Sequence, residues 1–203
     1  LLAGEFGELN EEQKKFLSAF SRSTERMIDL VETILNASRI EKGEMKIKPE
    51  ATDICAFAGK IYEETLPLSQ EKSQTFNFIC SKGITISYVD QRLLHEVLSN
   101  LLHNAIRYTP EKGEIAFKIE KNSDTLVFTV RDTGCGIPAS EQGKVFERMF
   151  RASNVASKYP DGTGLGLYVA RFFTELLGGK IRFESEENKG TTFYVTIPLI
   201  INS

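Results

Sequence analysis

Three short segments between residues 100 and 167 constrain the fold of this chain more than any other feature. The first, Asn100–Pro110, places carboxamide side chains beside the apolar face of a predicted helix. The second, Asp132–Pro138, puts a carboxylate next to two glycines, and the third, Gly162–Leu167, is a glycine loop that opens a helix. Together the segments predict one pocket for a nucleotide with its metal, although no single segment is sufficient.

The first segment predicts ligand-binding amides on one side of a helix. Asn100 and Asn104 are four residues apart, so both project from the same face, at the edge of the apolar stripe. A carboxamide oxygen is a hard ligand that suits Mg²⁺. Arg107 and Tyr108, one turn further on, could reach phosphate oxygens. The alternative is that the two asparagines cap or bridge neighbouring backbone groups.

The second segment predicts a carboxylate at the end of a strand. Asp132 follows an alternating apolar run, and Gly134 and Gly136 allow the backbone to turn tightly and approach a flat ring. A carboxylate there can accept a hydrogen bond from an exocyclic amine such as adenine N6. The alternative is a common Asp-Gly turn that closes a hairpin.

The third segment contains Gly162, Gly164 and Gly166 just before a predicted helix. The free N–H groups and the dipole of a helix start bind phosphate. The segment is not the dinucleotide-binding fingerprint, because Val169 stands where a further glycine is needed, and no Walker sequence occurs in the chain. Taken alone, the three glycines favour a flexible hinge.

In order and spacing, these segments resemble the nucleotide-binding motifs of sensor histidine kinases. Asn100–Pro110 resembles the N box, Asp132–Ile137 the first glycine box and Gly162–Leu167 the second. Two further segments, Val145–Phe150 and Gly190–Phe193, resemble the F box and the closing strand motif of that family. The likeness covers nearly the whole chain.

The resemblance implies the Bergerat (GHKL) ATP-binding fold. This is an α/β two-layer sandwich of a mixed sheet and about three helices, preceded here by a long helix of a helical hairpin. The resemblance also implies that Asn104 holds Mg²⁺ and that residues 139–161 form a lid over ATP. The residues it assigns to ATP binding are Asn100, Asn104, Arg107, Tyr108, Asp132, Gly134, Gly136, Ile137, Arg151, Gly162, Thr163, Gly164, Leu165, Gly166, Leu167 and Thr192.

Residues 1–44 are predicted to form a unit separate from a catalytic ATP-binding domain at 45–203. Asn10–Gln13 resembles a capping box, and apolar or small residues then recur in alternating steps of three and four, as in a helical bundle, until Gly43. By the resemblance, this is the second helix of a dimerisation and histidine-phosphotransfer hairpin, through which the full protein forms a homodimer. The alternative is a helix that packs on its own globular domain.

The remaining periodicity predicts a mixed sheet with helices on one face. Asp90 is predicted to cap a helix that ends near Tyr108, and Thr52 or Asp53 to cap the helix before it. The predicted strands are 45–48, 75–80, 84–89, 114–120, 125–131, 180–186 and 191–199. The predicted helices are 54–72, 90–108 and 163–177, with a short helical turn at 144–150.

Asn100 separates this chain from ATPases of the same fold. Gyrase-type, mismatch-repair and chaperone ATPases carry a glutamate four residues before the metal-binding asparagine, where it activates water. An amide cannot take a proton at neutral pH. The resemblance therefore implies transfer of the γ-phosphoryl group of ATP to a histidine. The alternatives are a degenerate nucleotide sensor and a true ATPase.

The phosphoacceptor histidine is expected upstream of Leu1, because the family carries it on the first helix of the hairpin. The two histidines of this chain, His95 and His103, both fall in the helix that carries Asn100. Neither is therefore predicted to accept phosphate. The resemblance implies a response regulator receiver domain as the next partner.

Composition excludes some functions and suggests a compartment. A net charge of −3 gives no reason to expect nucleic acid or an anionic membrane as partner. No apolar run approaches the roughly 20 residues of a membrane span. The opening without methionine indicates a fragment, so any anchor in the bacterial inner membrane would lie upstream. Three cysteines without C-x-x-C spacing favour a reduced, cytoplasmic setting over a disulfide framework.

Overall fold

A computed structural model of the chain describes residues 46–84, 86–156, 159 and 162–200, together with Asn10, Glu12, Gln13, Leu17, Phe20 and Thr24. The chain divides into two compact units, Leu1–Met45 and Lys46–Ser203. The division falls one residue from the predicted boundary, while the roles assigned to the two parts stay predictions. No helix within the described residues is long and apolar enough to cross a bilayer.

The start of the predicted helix in the first unit is described. The backbone N–H of Gln13 donates to Asn10 Oδ1 (2.8 Å), and that of Asn10 donates to Gln13 Oε1 (3.0 Å). This reciprocal pair is the predicted capping box, and the described residues that follow it are helical. The rest of the predicted helix, including its end at Gly43, lies outside the described residues.

The second unit contains both strands and helices, without strict alternation. Its strands are β1 (Glu50–Asp53), β2 (Thr75–Cys80), β3 (Ile86–Val89), β4 (Glu114–Asn122), β5 (Thr125–Asp132), β6 (Lys180–Glu186) and β7 (Gly190–Pro198). Its helices are α1 (Ile54–Glu71), α2 (Gln91–Tyr108), α3 (Ser153–Ala156) and α4 (Gly166–Leu176), with a 3₁₀ turn at Ala139–Lys144.

Five of these strands form one mixed sheet in the order β2-β4-β5-β7-β6. β2 runs parallel to β4, and the other neighbours are antiparallel. β1 and β3 form a separate antiparallel ribbon. The strands predicted on either side of Ser81–Gly83 therefore belong to different sheets and do not form a hairpin with each other.

The core lies between the sheet and its helices. Phe117, Val130 and Phe193 stand side by side across β4, β5 and β7, and all three are buried. α2 is buried along the apolar stripe that the sequence predicts and packs against β4 and β5, with α1 and α4 in contact on either side of it. The predicted mixed sheet with a helical layer is therefore present.

Two aspartates begin the first two helices, as predicted. Asp53 Oδ1 accepts a hydrogen bond from the Ala56 N–H (3.0 Å). Asp90 Oδ1 accepts one from the Leu93 N–H (3.1 Å), while its Oδ2 accepts a second from the Lys48 N–H (2.9 Å). Asp90 is buried and Asp53 is exposed, so Asp90 both caps α2 and fixes the chain that leads into β1.

Some predicted boundaries are wrong. The strand predicted at 45–48 lies at Glu50–Asp53, where β1 pairs with β3. α4 begins at Gly166 and not at residue 163, because Gly164 has a φ of +72°, a left-handed conformation that an α-helix of L-residues does not contain. The helical turn predicted at 144–150 lies earlier, as the 3₁₀ turn, and the irregular stretch after Phe150 contains α3.

Cys55 and Cys80 form a disulfide bond between the first turn of α1 and the end of β2. The prediction of reduced thiols is therefore wrong for this pair, and Cys135 takes no part in it. The two cysteines are 25 residues apart, and they meet only because α1 packs on β2. That packing is not visible in cysteine spacing.

Replacing the two capping aspartates by alanine should cost unequal amounts of stability. D53A removes one exposed cap and should lower the free energy of unfolding by about 1 kcal/mol. D90A removes a cap and a second bond at a buried site, and should lower it by about 2–3 kcal/mol. Urea unfolding followed by circular dichroism measures both. Equal losses in the two variants would contradict the double role of Asp90.

Candidate functional site

Asp132 ends β5 as a buried carboxylate with one oxygen already engaged. Its Oδ1 accepts hydrogen bonds from the backbone N–H groups of Gly134 (2.8 Å) and Thr191 (3.2 Å). Its other oxygen, Oδ2, makes no hydrogen bond within the described part of the chain. Asp132 is therefore fixed in orientation and keeps one acceptor for a ligand.

Burial makes the ionised form of Asp132 costly. It raises the pKa of Asp132 from 3.8 to about 6, against the hydrogen bonds from Gly134 and Thr191, which lower it. A carboxyl group with a pKa shifted in this way is typical of a functional site. A donor from a ligand would stabilise the ionised form by replacing water that burial has removed.

The turn after Asp132 packs directly against the end of α2. The Cys135 N–H donates to the Tyr108 carbonyl oxygen (3.3 Å), and a methyl group at Gly134 would stand 2.7 Å from that same oxygen. Gly136 has a φ of +61°, and a methyl group there would overlap the Glu186 carbonyl. Only glycine fits at these two positions, because the turn packs tightly against protein backbone, while its approach to a flat ring stays a prediction.

The two asparagines of α2 have different environments. Asn100 Nδ2 donates to the Glu96 carbonyl (2.8 Å), which is the backbone-bridging alternative for this residue. Its Oδ1 faces the glycine loop, since a methyl group at Gly166 would stand 2.6 Å from it. Asn104 is partly exposed and its side chain makes no hydrogen bond to any described residue. The Asn104 amide is therefore available to a ligand.

Two guanidinium groups border the glycine loop. A methyl group at Gly162 would stand 3.2 Å from Arg151 Nε and 3.5 Å from Arg107 Nη1. The loop also needs Gly164, because a methyl group there would stand 2.6 Å from the carbonyl carbon of Met149. The loop thus brings the backbone N–H groups of a helix start and two cations to one place, an arrangement that suits phosphate.

The remaining residues that the resemblance assigns to the two glycine segments have local contacts. The Leu165 N–H donates to Thr163 Oγ1 (3.3 Å), and Leu165 is buried. The Ile137 N–H donates to Ser185 Oγ (2.9 Å), which anchors the end of the first glycine turn to β6. Leu167 follows in the first turn of α4.

The described part of the predicted lid touches both glycine segments and α2. Asn154 Nδ2 donates to the carbonyl oxygens of Gly136 (3.0 Å) and Cys135 (3.3 Å). The Tyr159 ring stands edge-on to the Tyr108 ring at 5.4 Å between centroids, and Arg151 donates to the Tyr159 carbonyl. Sequence reasoning missed Asn154 and Tyr159, because an irregular segment carries no periodicity from which contacts follow.

Thr192, which the resemblance assigns to ATP binding, lies in β7 next to a residue that contacts Asp132. It lies in register with Arg131 and Glu184, and successive strand residues point to opposite faces of a sheet. Thr191, one residue earlier, is buried and gives its N–H to Asp132. The assignment of Thr192 to ATP binding stays a prediction. The contact of Thr191 with Asp132 was missed, because a single strand sequence does not show the register of β7 against β5.

The side chains near Asn104 fit a magnesium ion that takes most of its ligands from nucleotide phosphates and water. The described residues contain no cluster of three or more His, Cys, Asp or Glu side chains that could hold a metal ion. Mg²⁺ commonly takes only one or two protein ligands and relies on substrate phosphates and water. The unengaged Asn104 oxygen is suited to be such a ligand.

Asp132 should make the free protein less stable as the pH rises. A pKa raised in the folded state gives stability that is complete below about pH 4 and is lost as the pH rises through about 6. D132N stays neutral, so it should exceed the wild type by on the order of 2–3 kcal/mol at pH 7.5 and match it at pH 4. Urea unfolding at both pH values measures the difference, with D124N in an exposed turn as control. A D132N variant that is less stable at pH 7.5 would contradict the cost of this charge.

Comparison with known proteins agrees with this geometry. Residues 89–201 match the family described as histidine kinase-, DNA gyrase B-, and HSP90-like ATPase. The chain is 32% identical to the circadian input-output histidine kinase CikA of Synechococcus elongatus, covering 98% of this chain and 26% of that protein. It is 35% identical to the sensor histidine kinase WalK of Bacillus subtilis, covering 91% of this chain and 30% of that protein.

Among solved structures, the histidine kinase ThkA in complex with the response regulator protein TrrA has the same fold. The TM-score is 0.72 at 22% identity, over 96% of this chain and 54% of that chain. The Bergerat-type fold predicted from the sequence is confirmed. The chain spans less than a third of the length of CikA and of WalK. By the family match over residues 89–201, this chain belongs to the histidine kinase-, DNA gyrase B-, and HSP90-like ATPase family.

Proposed function

We propose that this chain is the ATP-binding catalytic part of a two-component sensor histidine kinase. The convergence of α2, the turn after Asp132 and the loop at 162–166 within one unit carries the proposal. Gly134 lies against Tyr108, and Gly166 against Asn100, so one helix borders both glycine segments. The named relatives CikA and WalK support the assignment to sensor kinases.

The nucleotide is expected to lie along these segments, with adenine near Asp132 and the triphosphate near the glycine loop at 162–166. Asp132 Oδ2 accepts from the adenine amine, because Oδ1 is already occupied. The loop N–H groups, Arg107 and Arg151 contact phosphate oxygens. Asn104 holds Mg²⁺ together with the phosphates, and the bound ion supplies neutralisation of phosphate charge.

Asn100 supports transfer of the phosphoryl group over its hydrolysis. Its amide nitrogen is engaged with the Glu96 carbonyl, and an amide has no basic site at neutral pH. Asn100 therefore cannot act as the base that takes a proton from water. The acceptor imidazole nitrogen attacks the γ-phosphorus, the bond to the β-phosphate oxygen breaks, and ADP leaves.

The acceptor histidine is proposed to lie outside these 203 residues. His95 Nε2 lies 3.1 Å from Glu64 Oε2. This histidine therefore links α2 to α1 at the protein surface and is not proposed to accept phosphate. His103 also lies on α2 and is exposed. A response regulator receiver domain would take the phosphoryl group next, as the solved complex of ThkA with a response regulator supports.

Two further expectations complete the proposal. The segment before residue 45 contributes to a dimerisation hairpin. The capping box at Asn10 supports this, because it begins a helix there.

The catalytic part is proposed to lie in the cytoplasm, where ATP is supplied. A reducing compartment would open the Cys55–Cys80 disulfide of the structure to two thiols. Both cysteines lie outside the three segments of the site, in α1 and β2.

Binding of a non-hydrolysable ATP analogue should depend on Mg²⁺ through Asn104. Calorimetric titration of the wild type should show at least roughly tenfold weaker binding when EDTA replaces Mg²⁺. N104A should bind equally in the two conditions, at the weaker level. N77A, which changes an exposed asparagine of β2, serves as control and should behave as the wild type. A full magnesium effect in N104A would contradict the assigned ligand.

Phosphotransfer should occur only when an acceptor domain is supplied. With γ-labelled ATP and a dimerisation hairpin that contains its histidine, label should appear on that hairpin as acid-labile phosphohistidine and not on this chain. N104A should slow transfer by at least roughly a hundredfold. Steady phosphate release without the hairpin, abolished by N100A, would identify an ATPase, and tight binding without any transfer would identify a nucleotide sensor.

A further inference from the structure

A lysine from the turn between α1 and β2 closes the end of α2. Lys72 Nζ donates to the carbonyl oxygens of Ile106 (2.8 Å), Arg107 (3.0 Å) and Thr109 (2.6 Å). An ammonium group has three N–H donors, so these three acceptors use all of them. Burial lowers the pKa of Lys72, and Glu111 opposes that effect. Lys72 is thus an integral contact of the fold and not a solvated surface lysine.

Gln74, two residues later, binds the same helix end. Its Nε2 donates to the carbonyl oxygens of Thr109 (2.7 Å) and Ile106 (3.0 Å), with the Pro110 carbonyl oxygen 3.4 Å away as a shared acceptor, and the side chain is buried. The last four carbonyls of a helix have no partner inside the helix. A cation at that end also meets the negative pole of the helix dipole. Lys72 and Gln74 together are called the end clamp below.

The helix end held by the clamp is the end that carries the candidate site. Arg107 and Tyr108 are the last two residues of α2. The Tyr108 carbonyl receives the Cys135 N–H and lies against Gly134. The last turn of α2 therefore connects the end clamp to the turn that orients Asp132, through a continuous series of backbone contacts.

We infer that Lys72 and Gln74 are positioning residues of the nucleotide site. They fix the last turn of α2, and through it they set the place of Arg107, Tyr108 and the turn that contains Gly134. The inference rests on the proposed binding of ATP. It adds two residues that lie outside all three nucleotide-binding segments and that act through backbone carbonyls.

K72M tests this inference directly, because methionine keeps the length of the side chain and removes all three donors. Affinity for a non-hydrolysable ATP analogue with Mg²⁺ should fall roughly tenfold, the lower end of what loss of an outer hydrogen-bonding partner costs at metal sites. K72R keeps a cation with N–H donors and should recover most of the affinity. K60M, at an exposed lysine of α1, should bind as the wild type.

A second measurement separates positioning from simple loss of stability. Amide hydrogen exchange at Cys135, whose N–H is bonded to Tyr108, should speed up more in K72M than exchange at Leu126 in the core hairpin. I119V, a core change that lowers stability away from the clamp, should leave the affinity unchanged. All affinities are measured well below the unfolding temperature of each variant.

Wild-type affinity in folded K72M, or failure of K72R to recover a lost affinity, would overturn the inference. If K72M does not fold, Q74M carries the same test. That change removes the donors and also removes Gln74 Oε1, a buried atom with no hydrogen bond in the described structure. Unchanged affinity in Q74M would then overturn the inference. Absence of binding by the wild type would instead count against the proposed function.

Discussion

The site depends on the close approach of two glycine segments to one helix. Gly134 lies against the Tyr108 carbonyl and Gly166 against the Asn100 side chain, and in both places a single methyl group would stand closer than van der Waals contact allows. Any side chain at these positions would push a segment away from α2. The absence of side chains therefore lets the segments that carry Asp132 and the glycine loop pack against the helix that carries Asn100, Asn104 and Arg107.

The residues around these contacts include polar groups that the ligand-free protein does not need. Asp132 is buried, its pKa is raised by that burial, and one of its oxygens makes no hydrogen bond within the described residues. The Asn104 side-chain amide also makes no hydrogen bond to any described residue. Functional sites commonly keep such groups at a cost in stability, because a ligand satisfies them only when it binds. The surrounding sheet and helices supply the stability that keeps these groups in place.

The elements that the sequence predicts well are those set by local signals. The helix predicted from Asp90 to about Tyr108 has those limits, because a capping aspartate and a regular apolar stripe are both local. The hairpin of β4 and β5 is likewise predicted, since both strands alternate cleanly. The convergence of the three segments was predicted from their combination and from the family resemblance, and no pattern within any one segment could have shown it.

The features that the sequence did not reveal depend on contacts between distant residues. The parallel pairing of β2 with β4, the Cys55–Cys80 bridge and the contact of Thr191 with Asp132 all require strand order and register. Lys72 follows a helix end in the sequence and reads as an ordinary exposed lysine. Its role appears only when the end of α2, more than 30 residues later, lies beside it.

The central claim, that three separated segments form one nucleotide cleft, is tested most directly by amide NMR titration of the labelled protein with an ATP analogue and Mg²⁺. The account predicts that amides of Asn104, Gly134 and Gly164 shift together with one dissociation constant, while amides of the exposed edge at Asn77 do not move. Shifts confined to one of the three segments, or different dissociation constants for different segments, would contradict it.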